Sequence, residues 1–289
     1  MYAQFDLDIP DTLTGALEAM AGGGGRDIAP LAGGTNLLVD IRSRRERPDR
    51  VVGLANIGEL CGIEAGGDRI VIGARTTVSE LLASAEIAAA APSLIDAAKA
   101  FAGQMVRNTA TVAGNIACGS PAADLVPPLM SLDAEVTLAS KAGERTVRLD
   151  EYFLGYKKDA RRPNELIVKI SWPRLHANAA NSFYKLARRK GDAITITGVA
   201  VTVAAQGGKC TMARIALGAV APVVLRAKKA EAMLGGQALT PKLIEQAASK
   251  AAGECSPIGD VRASAEYRLH TVEALTRRLV SQAWDRVKG

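Results

Sequence analysis

The sequence predicts an α+β protein in which two α/β units precede a three-stranded antiparallel sheet backed by helices. Three observations support this fold class. Strand-like runs alternate with amphipathic stretches up to residue 175, strand-like runs with hairpin breaks follow between 182 and 218, and helical periodicity begins at 227. The unit boundaries that we predict are therefore 1–56, 57–175 and 176–289.

The first unit has a β-α-β pattern. Its predicted elements are a helix at 11–21, a strand at 28–31, a short helix starting within 37–41 and a strand at 51–54. Asp11 or Thr12 can cap the first helix, which the glycines at 22–25 end. The basic run 42–50 favours a solvated helix end and loop, and a role in holding phosphate is the minor alternative.

The second and third units continue the series. The second has predicted strands at 60–64 and 69–72, helices at 78–84 and 91–102, and strands at 135–139, 146–149 and 166–172. The third has predicted strands at 182–186, 194–204 and 211–218, and helices at 227–234, 241–252 and 263–287. Thr77 with Glu80 predicts a capping box, and Thr240-Pro241 is a typical helix start.

Two stretches rich in small polar residues carry the functional interpretation. The stretch Arg107–Leu129 has no periodic apolar face, which predicts an ordered loop. Its hydroxyl and amide side chains lie beside backbone N–H groups, the composition of a phosphate cradle without lysine, and Asp124 is suited to a ribose. Upstream, Gly33-Gly34 permits positive φ, and Thr35 and Asn36 can cap the next helix. Either stretch alone is weak evidence for a binding site, but the two together favour a dinucleotide bound between them.

Composition narrows the function classes. The net charge of +6 indicates a mildly basic soluble surface, with attraction to a polyanion or an acidic partner as the alternative. Aromatic residues make up only 4%, which disfavours a stacking platform for nucleic acid. The four cysteines are scattered and only two histidines occur, so we expect no metal site here and assign His176 and His270 structural or surface roles.

Neither a targeting segment nor an apolar run long enough to span a bilayer occurs in the sequence, so we expect a cytoplasmic protein. The sequence also contains no nucleophile elbow, HExxH motif or P-loop lysine. No catalytic residue is therefore assigned. This pattern is typical of a chain whose chemistry belongs to a cofactor.

The segments Ala32–Leu38 and Arg107–Ile116 together resemble the two flavin loops of one family. It comprises the FAD-binding medium subunits of molybdenum hydroxylases, such as carbon monoxide dehydrogenase and xanthine dehydrogenase, which have a PCMH-type FAD-binding fold. The resemblance continues through Ser120–Asp124, Leu132–Val136 and Phe183–Arg189, and so covers nearly the whole chain.

The resemblance implies non-covalent FAD in this chain, with molybdopterin and [2Fe–2S] clusters in a large and a small partner subunit. Electrons would pass from the clusters through FAD to NAD⁺, a quinone or oxygen, in a dimer of heterotrimers. The cofactor-binding residues that it implies are Leu31, Ala32, Gly33, Gly34, Thr35, Asn36, Leu37, Leu38, Phe101, Thr109, Thr111, Val112, Ala113, Gly114, Asn115, Asp124, Leu166, Ile167 and Lys185.

Three of these residues need comment. Strand periodicity places Lys185 on the same side as Phe183, and a solvated edge-strand lysine is the alternative to a role beside the flavin. Phe101 can equally belong to a helix core. Ala113 stands where family members usually have glycine, and the added methyl group is expected to tighten or shift the pocket.

Two other functions remain open. A stand-alone FAD-dependent oxidase or dehydrogenase would need a base beside the loops, and the sequence offers none. A non-catalytic interaction module with a decayed flavin site is disfavoured because Gly33, Gly34, Gly114, Asn115 and Asp124 are all present.

Overall fold

The computed structural model describes residues 4–22 and 27–288, so Gly23 to Gly25 of the predicted helix end lie outside the described residues. The strands are β1 (Asp6–Asp8), β2 (Ile28–Leu31), β3 (Arg50–Gly53), β4 (Ile63–Glu64), β5 (Arg69–Gly73), β6 (Glu135–Ser140), β7 (Gly143–Arg148), β8 (Phe153–Gly155), β9 (Lys158–Asp159), β10 (Leu166–Pro173), β11 (Ala179–Leu186), β12 (Thr197–Gln206), β13 (Lys209–Gly218) and β14 (Leu225–Arg226). The helices are α1 (Leu13–Ala21), α2 (Leu37–Arg42), α3 (Val78–Ala83), α4 (Ala85–Ala90), α5 (Pro92–Ala100), α6 (Gln104–Arg107), α7 (Val112–Ala117), α8 (Val126–Ser131), α9 (Leu149–Tyr152), α10 (Lys228–Leu234), α11 (Pro241–Ala252) and α12 (Ala265–Val287), with a 3₁₀ turn at Gly58–Leu60.

The first sheet is parallel, with β3 between β1 and β2. Helix α1 begins where predicted because the Thr12 hydroxyl accepts a hydrogen bond from the Gly15 N–H at 3.1 Å. Strand β1 was not predicted, since its sequence Asp-Leu-Asp is too short and polar to give a strand signal.

The second sheet is antiparallel and has the order β4-β5-β10-β6-β7. The capping box is confirmed: the Thr77 hydroxyl accepts from the Glu80 N–H, and the Glu80 carboxylate accepts from the Thr77 N–H at 2.7 Å. Helices α3 to α8 all lie between β5 and β6 in the chain. Trp172 and Tyr152 are among the largest fully buried side chains of this core.

The prediction that 107–129 is a loop was wrong, because α7 and α8 lie within it. Thr111 caps α7 through the Gly114 N–H, and the helix is only six residues long, too short to show a periodic apolar face. In α8, Pro127 and Pro128 occupy the first turn, where a missing N–H costs no hydrogen bond.

The third sheet has the order β11-β12-β13-β14, so the short strand β14 adds a fourth strand to the three predicted. Its two faces bury different cores. Ala200 and Ala216 pack with the second-sheet core, whereas Val201 and Ile215 pack with α10 to α12. Alternation along β12 and β13 therefore makes this sheet a layer between the core of the second sheet and the C-terminal helices.

Arg226 of β14 links the third sheet to the second unit electrostatically. Its Nε and Nη2 donate to the two carboxylate oxygens of Glu231 at 2.5 and 2.8 Å, and its Nη1 donates to Asp133 Oδ1 at 2.7 Å. Its side chain is 8% exposed. Arg214 also pairs with Asp133. Within the described residues, no helix is long and apolar enough to cross a membrane.

We expect Arg226→Met to lower the free energy of unfolding by about 3 kcal/mol, because it leaves two poorly solvated carboxylates without their shared partner. Urea denaturation measures this loss. The matched control is Arg277→Met, which removes an ion pair with Glu245 whose side chains are 57% and 61% exposed. This control is expected to cost less than about 1 kcal/mol, and equal losses in both variants would contradict the prediction.

Candidate functional site

A cavity of about 1120 Å³ is lined by residues of both the first and the second sheet. Its lining comes from the β2 strand and β2–α2 loop, from the stretch between α5 and the end of α7, and from residues 157–167. The predicted site residues that line it are Leu31, Ala32, Gly33, Gly34, Thr35, Asn36, Leu37, Phe101, Thr111, Ala113, Gly114, Asn115, Leu166 and Ile167.

The β2–α2 loop presents a row of backbone donors. None of the N–H groups of Gly33, Gly34, Thr35 and Asn36 donates a hydrogen bond to another described residue. Asn36 precedes α2 but its side-chain oxygen makes no capping hydrogen bond, contrary to the prediction, and its amide nitrogen donates to Asp40 Oδ2 at 3.0 Å. Free N–H groups at the start of a helix are suited to an anion such as a pyrophosphate.

The two glycines of this loop have different physical requirements. Gly34 has φ +70°, as predicted, and Leu38 N–H donates to its carbonyl. Gly33 is needed for space instead, because a Cβ there would collide with the Thr109 carbonyl and approach the Ala110 Cα within 3.2 Å. The two loops therefore touch backbone to backbone at Gly33.

The second loop becomes the start of α7. Ala113 lines the cavity, and its N–H donates to no other described residue. Gly114 lies within α7 and does not have positive φ, and a Cβ there would meet only Thr111 Oγ1. Asn115 Oδ1 accepts from the Leu125 N–H at 3.1 Å, and its side-chain amide nitrogen donates to no other described residue.

One end of the cavity is charged. Asp40 is buried and forms ion pairs with Arg45 at 3.1 Å and with Lys157 at 3.4 Å. Arg161 forms an ion pair with Asp159 at 2.8 Å. Arg75 and Arg162 also line the cavity. Sequence reasoning missed the 157–162 group because Lys-Lys-Asp-Ala-Arg-Arg is typical of a solvated turn, and only the fold brings it to the β2–α2 loop.

Another part of the lining is apolar. Phe101, Val106, Leu166 and Ile167 all line the cavity, and Phe101 is half-buried against the same core. Phe101 therefore packs on this core and also lines the cavity. A cavity with an apolar portion, free backbone N–H groups and flanking cations suits a flavin dinucleotide, whose ring system is flat and apolar and whose pyrophosphate is anionic.

Five predicted residues do not line the cavity. Leu38 is 46% exposed, and Val112 is fully buried with its N–H donating to Thr76. Thr109 contributes its backbone to the contact with Gly33. The remaining two, Asp124 and Lys185, are joined to each other behind the lining.

Lys185 is on the edge strand β11 and shares a side with the buried Phe183, as predicted, but it is not solvated. Its side chain is 6% exposed and its ammonium donates to Asp124 Oδ2 at 2.6 Å and to the Ala100 carbonyl at 3.1 Å. Thr195 donates to the other oxygen of Asp124 at 2.5 Å. Burial raises the pKa of Asp124, and Lys185 and Thr195 act in the opposite direction. The Lys185 ammonium therefore contacts the residue next to Phe101.

No group of three or more His, Cys, Asp or Glu residues able to hold a metal occurs among the residues that the structure describes. His176 and His270 are exposed. Cys118 lines the cavity, and burial raises the pKa of its thiol.

Comparison with known proteins agrees with the geometry. Residues 3–175 match the model of the FAD-binding domain in molybdopterin dehydrogenase, and residues 182–283 match that of the carbon monoxide dehydrogenase flavoprotein C-terminal domain. The chain is 34% identical to the carbon monoxide dehydrogenase medium chain of Hydrogenophaga pseudoflava, over 98% of both chains. It is 31% identical to the alpha subunit of the 6-hydroxypseudooxynicotine dehydrogenase complex of Paenarthrobacter nicotinovorans, over 98% of this chain and 96% of that one. The structure of carbon monoxide dehydrogenase from H. pseudoflava superposes with a TM-score of 0.95, at 34% identity and 99% coverage of both chains.

We expect Gly33→Ala to abolish detectable FAD binding while most of the fold persists, because the added methyl group pushes the two loops apart. FAD titration of the purified variant, followed by flavin absorbance, measures the effect. Gly66→Ala is the matched control, since a Cβ at Gly66 has nothing within 4 Å. Normal FAD affinity in Gly33→Ala would contradict the importance of this contact.

Proposed function

The chain belongs to the family of FAD-binding medium subunits of molybdenum hydroxylases, and we propose that it transfers electrons from iron–sulfur clusters of a partner subunit through FAD to an external acceptor. The acceptor classes that suit a flavin are NAD⁺, a quinone and oxygen. Within the complex this chain is an oxidoreductase subunit.

The observation that carries the proposal is the row of free N–H groups from Gly33 to Asn36, next to the contact between the two loops. These groups would hold the pyrophosphate of FAD, with Ala113 N–H and the amide of Asn115 on the opposite loop. A cradle of fixed backbone dipoles needs no lysine, because partial charges on several N–H groups together balance the anion.

FAD would supply the two-electron redox chemistry, and the protein residues would position it. Phe101, Leu166 and Ile167 would cover the ring system and exclude water. Asp124 and Lys185 would act from behind the lining, as a charged pair close to Phe101.

Among the described residues of the lining there is no histidine. The carboxylates of Asp40, Asp159 and Glu165 are each paired with a cation, while Asp27 and Glu46 are exposed to solvent. This arrangement favours electron transfer over a stand-alone oxidase.

Partner subunits complete the proposed path. We propose a molybdopterin-binding large subunit and a small subunit with [2Fe–2S] clusters, assembled with this chain as a dimer of heterotrimers. Relatives named for carbon monoxide and for 6-hydroxypseudooxynicotine match this chain over nearly its whole length. Such different substrates are more readily accounted for if a partner subunit selects the substrate.

The first expected result concerns the flavin and metal content of the purified complex. The complex purified through this chain should contain about one FAD per chain, together with molybdenum and iron in the co-purified subunits. Flavin released by acid and metal analysis of the same sample measure both. A folded, colourless chain that takes up no added FAD would refute the flavin assignment, whereas FAD without partner subunits or metals would favour a stand-alone flavoprotein.

The reduction potential of the flavin would show whether the Asp124–Lys185 pair lies close to it. If it lies close to the flavin, Lys185→Met should lower the two-electron reduction potential and Asp124→Asn should raise it, because reduction adds negative charge to the ring. A partly screened charge contributes on the order of 1 kcal/mol, and ~30 mV corresponds to about 1.4 kcal/mol, so shifts of roughly tens of millivolts are expected.

Dye-coupled titration at fixed pH measures these potentials. Thr195→Val is the matched control, because it removes a hydrogen bond to Asp124 without changing charge. Unchanged potentials in both charge variants, with FAD fully bound, would mean that the pair is remote from the flavin.

A further inference from the structure

The turn after α5 holds Phe101 at the cavity in a conformation that the local sequence does not favour. Phe101 follows the last residue of α5 and lines the cavity. The next residue, Ala102, has φ +32°, in the left-handed region that a residue with a Cβ avoids. Other groups must therefore fix this turn.

Two cationic side chains bind three successive carbonyl groups of the turn. Lys185 Nζ donates to the Ala100 carbonyl at 3.1 Å. Arg107 Nη1 donates to the Phe101 carbonyl at 2.9 Å and to the Ala102 carbonyl at 2.8 Å. The final carbonyls of a helix have no partner within the helix, and cations are favoured there.

Arg107 also belongs to the second cofactor loop. It is the last residue of α6, two residues before Thr109, whose carbonyl meets Gly33. Its Nη2 contacts Gln104 Oε1 at 3.3 Å, and its Nε is buried without a partner among the described residues. The Arg107 guanidinium therefore has an unpaired N–H group among these residues, but it connects the Phe101 turn to the second cofactor loop.

We infer that Arg107 is a positioning residue, which orients the Phe101 ring for contact with the flavin by binding the carbonyls of Phe101 and Ala102. This inference rests on the proposed FAD site. It assigns no contact between Arg107 and FAD itself, because Arg107 is not part of the cavity lining.

A double-mutant cycle on the full chain tests the inference. Arg107→Met and Arg107→Lys are each made in the native and in the Phe101→Ala background, and the Kd for FAD is measured by titration of apoprotein. Visible circular dichroism of the bound flavin is recorded as well, since it responds to an aromatic ring beside the isoalloxazine. Gln104→Ala, which removes the neighbouring side chain of α6, is the control.

We expect Arg107→Met to weaken FAD binding about tenfold, or about 1.4 kcal/mol, in the native background and hardly at all once Phe101 is alanine. Its flavin dichroism should match that of Phe101→Ala. Arg107→Lys, which keeps a half-buried cation able to reach one carbonyl, should fold and show a smaller loss that also disappears in the Phe101→Ala background, and Gln104→Ala should resemble the native chain.

Equal losses in both backgrounds, or native dichroism in Arg107→Met, would overturn the inference, because Arg107 would then act through the second loop alone. If Arg107→Met fails to fold, the Arg107→Lys cycle decides the question in the same way. Failure of the native chain to bind FAD would instead refute the proposed function and is recognisable before any variant is made.

Discussion

The cavity depends on one contact, the approach of the Gly33 backbone to the carbonyl of Thr109. Any side chain at position 33 would occupy the space of that carbonyl, so the two loops can meet only if this residue is glycine. Gly33 to Asn36 line the cavity, and their N–H groups have no hydrogen-bond partner among the described residues. A steric constraint thus produces an electrostatic site, because donors that the fold leaves unpaired are available to an anion.

The third sheet supports this site from behind. One of its faces packs on α5 and α8 and the other on α12, so the C-terminal helices are separated from the cavity by a full layer. Through Lys185, however, β11 reaches the end of α5 and pairs with Asp124. The charge behind the proposed flavin position is therefore set by two units together. Arg226 of the same sheet donates a hydrogen bond to Asp133, which lies between α8 and β6, and this contact helps to hold the third sheet against the second.

The cavity of this chain is suited to holding a redox cofactor. It combines backbone donors, an apolar portion and charged side chains, and two of its lining cations, Lys157 and Arg161, are paired with Asp40 and Asp159. Such a site needs no substrate-specific group, which agrees with relatives that carry the names of different substrates. The electrostatics of the pocket are then available for tuning the cofactor rather than for chemistry on a substrate.

The sequence by itself determined the elements whose signals are local. The capping box at Thr77, the hairpin at 206–209 and the glycine turn at Gly34 depend on neighbours within a few residues, and each is present. Family resemblance further pointed to the two loops and to FAD. Tertiary structure alone decided what depends on distant partners: α7 and α8 within an expected loop, the space requirement at Gly33, and the burial of Lys185 against Asp124. The physical reason is that short helices and buried charges are stabilised mainly by packing and pairing across the fold, and residues 61 positions apart leave no mark of that contact in a single sequence.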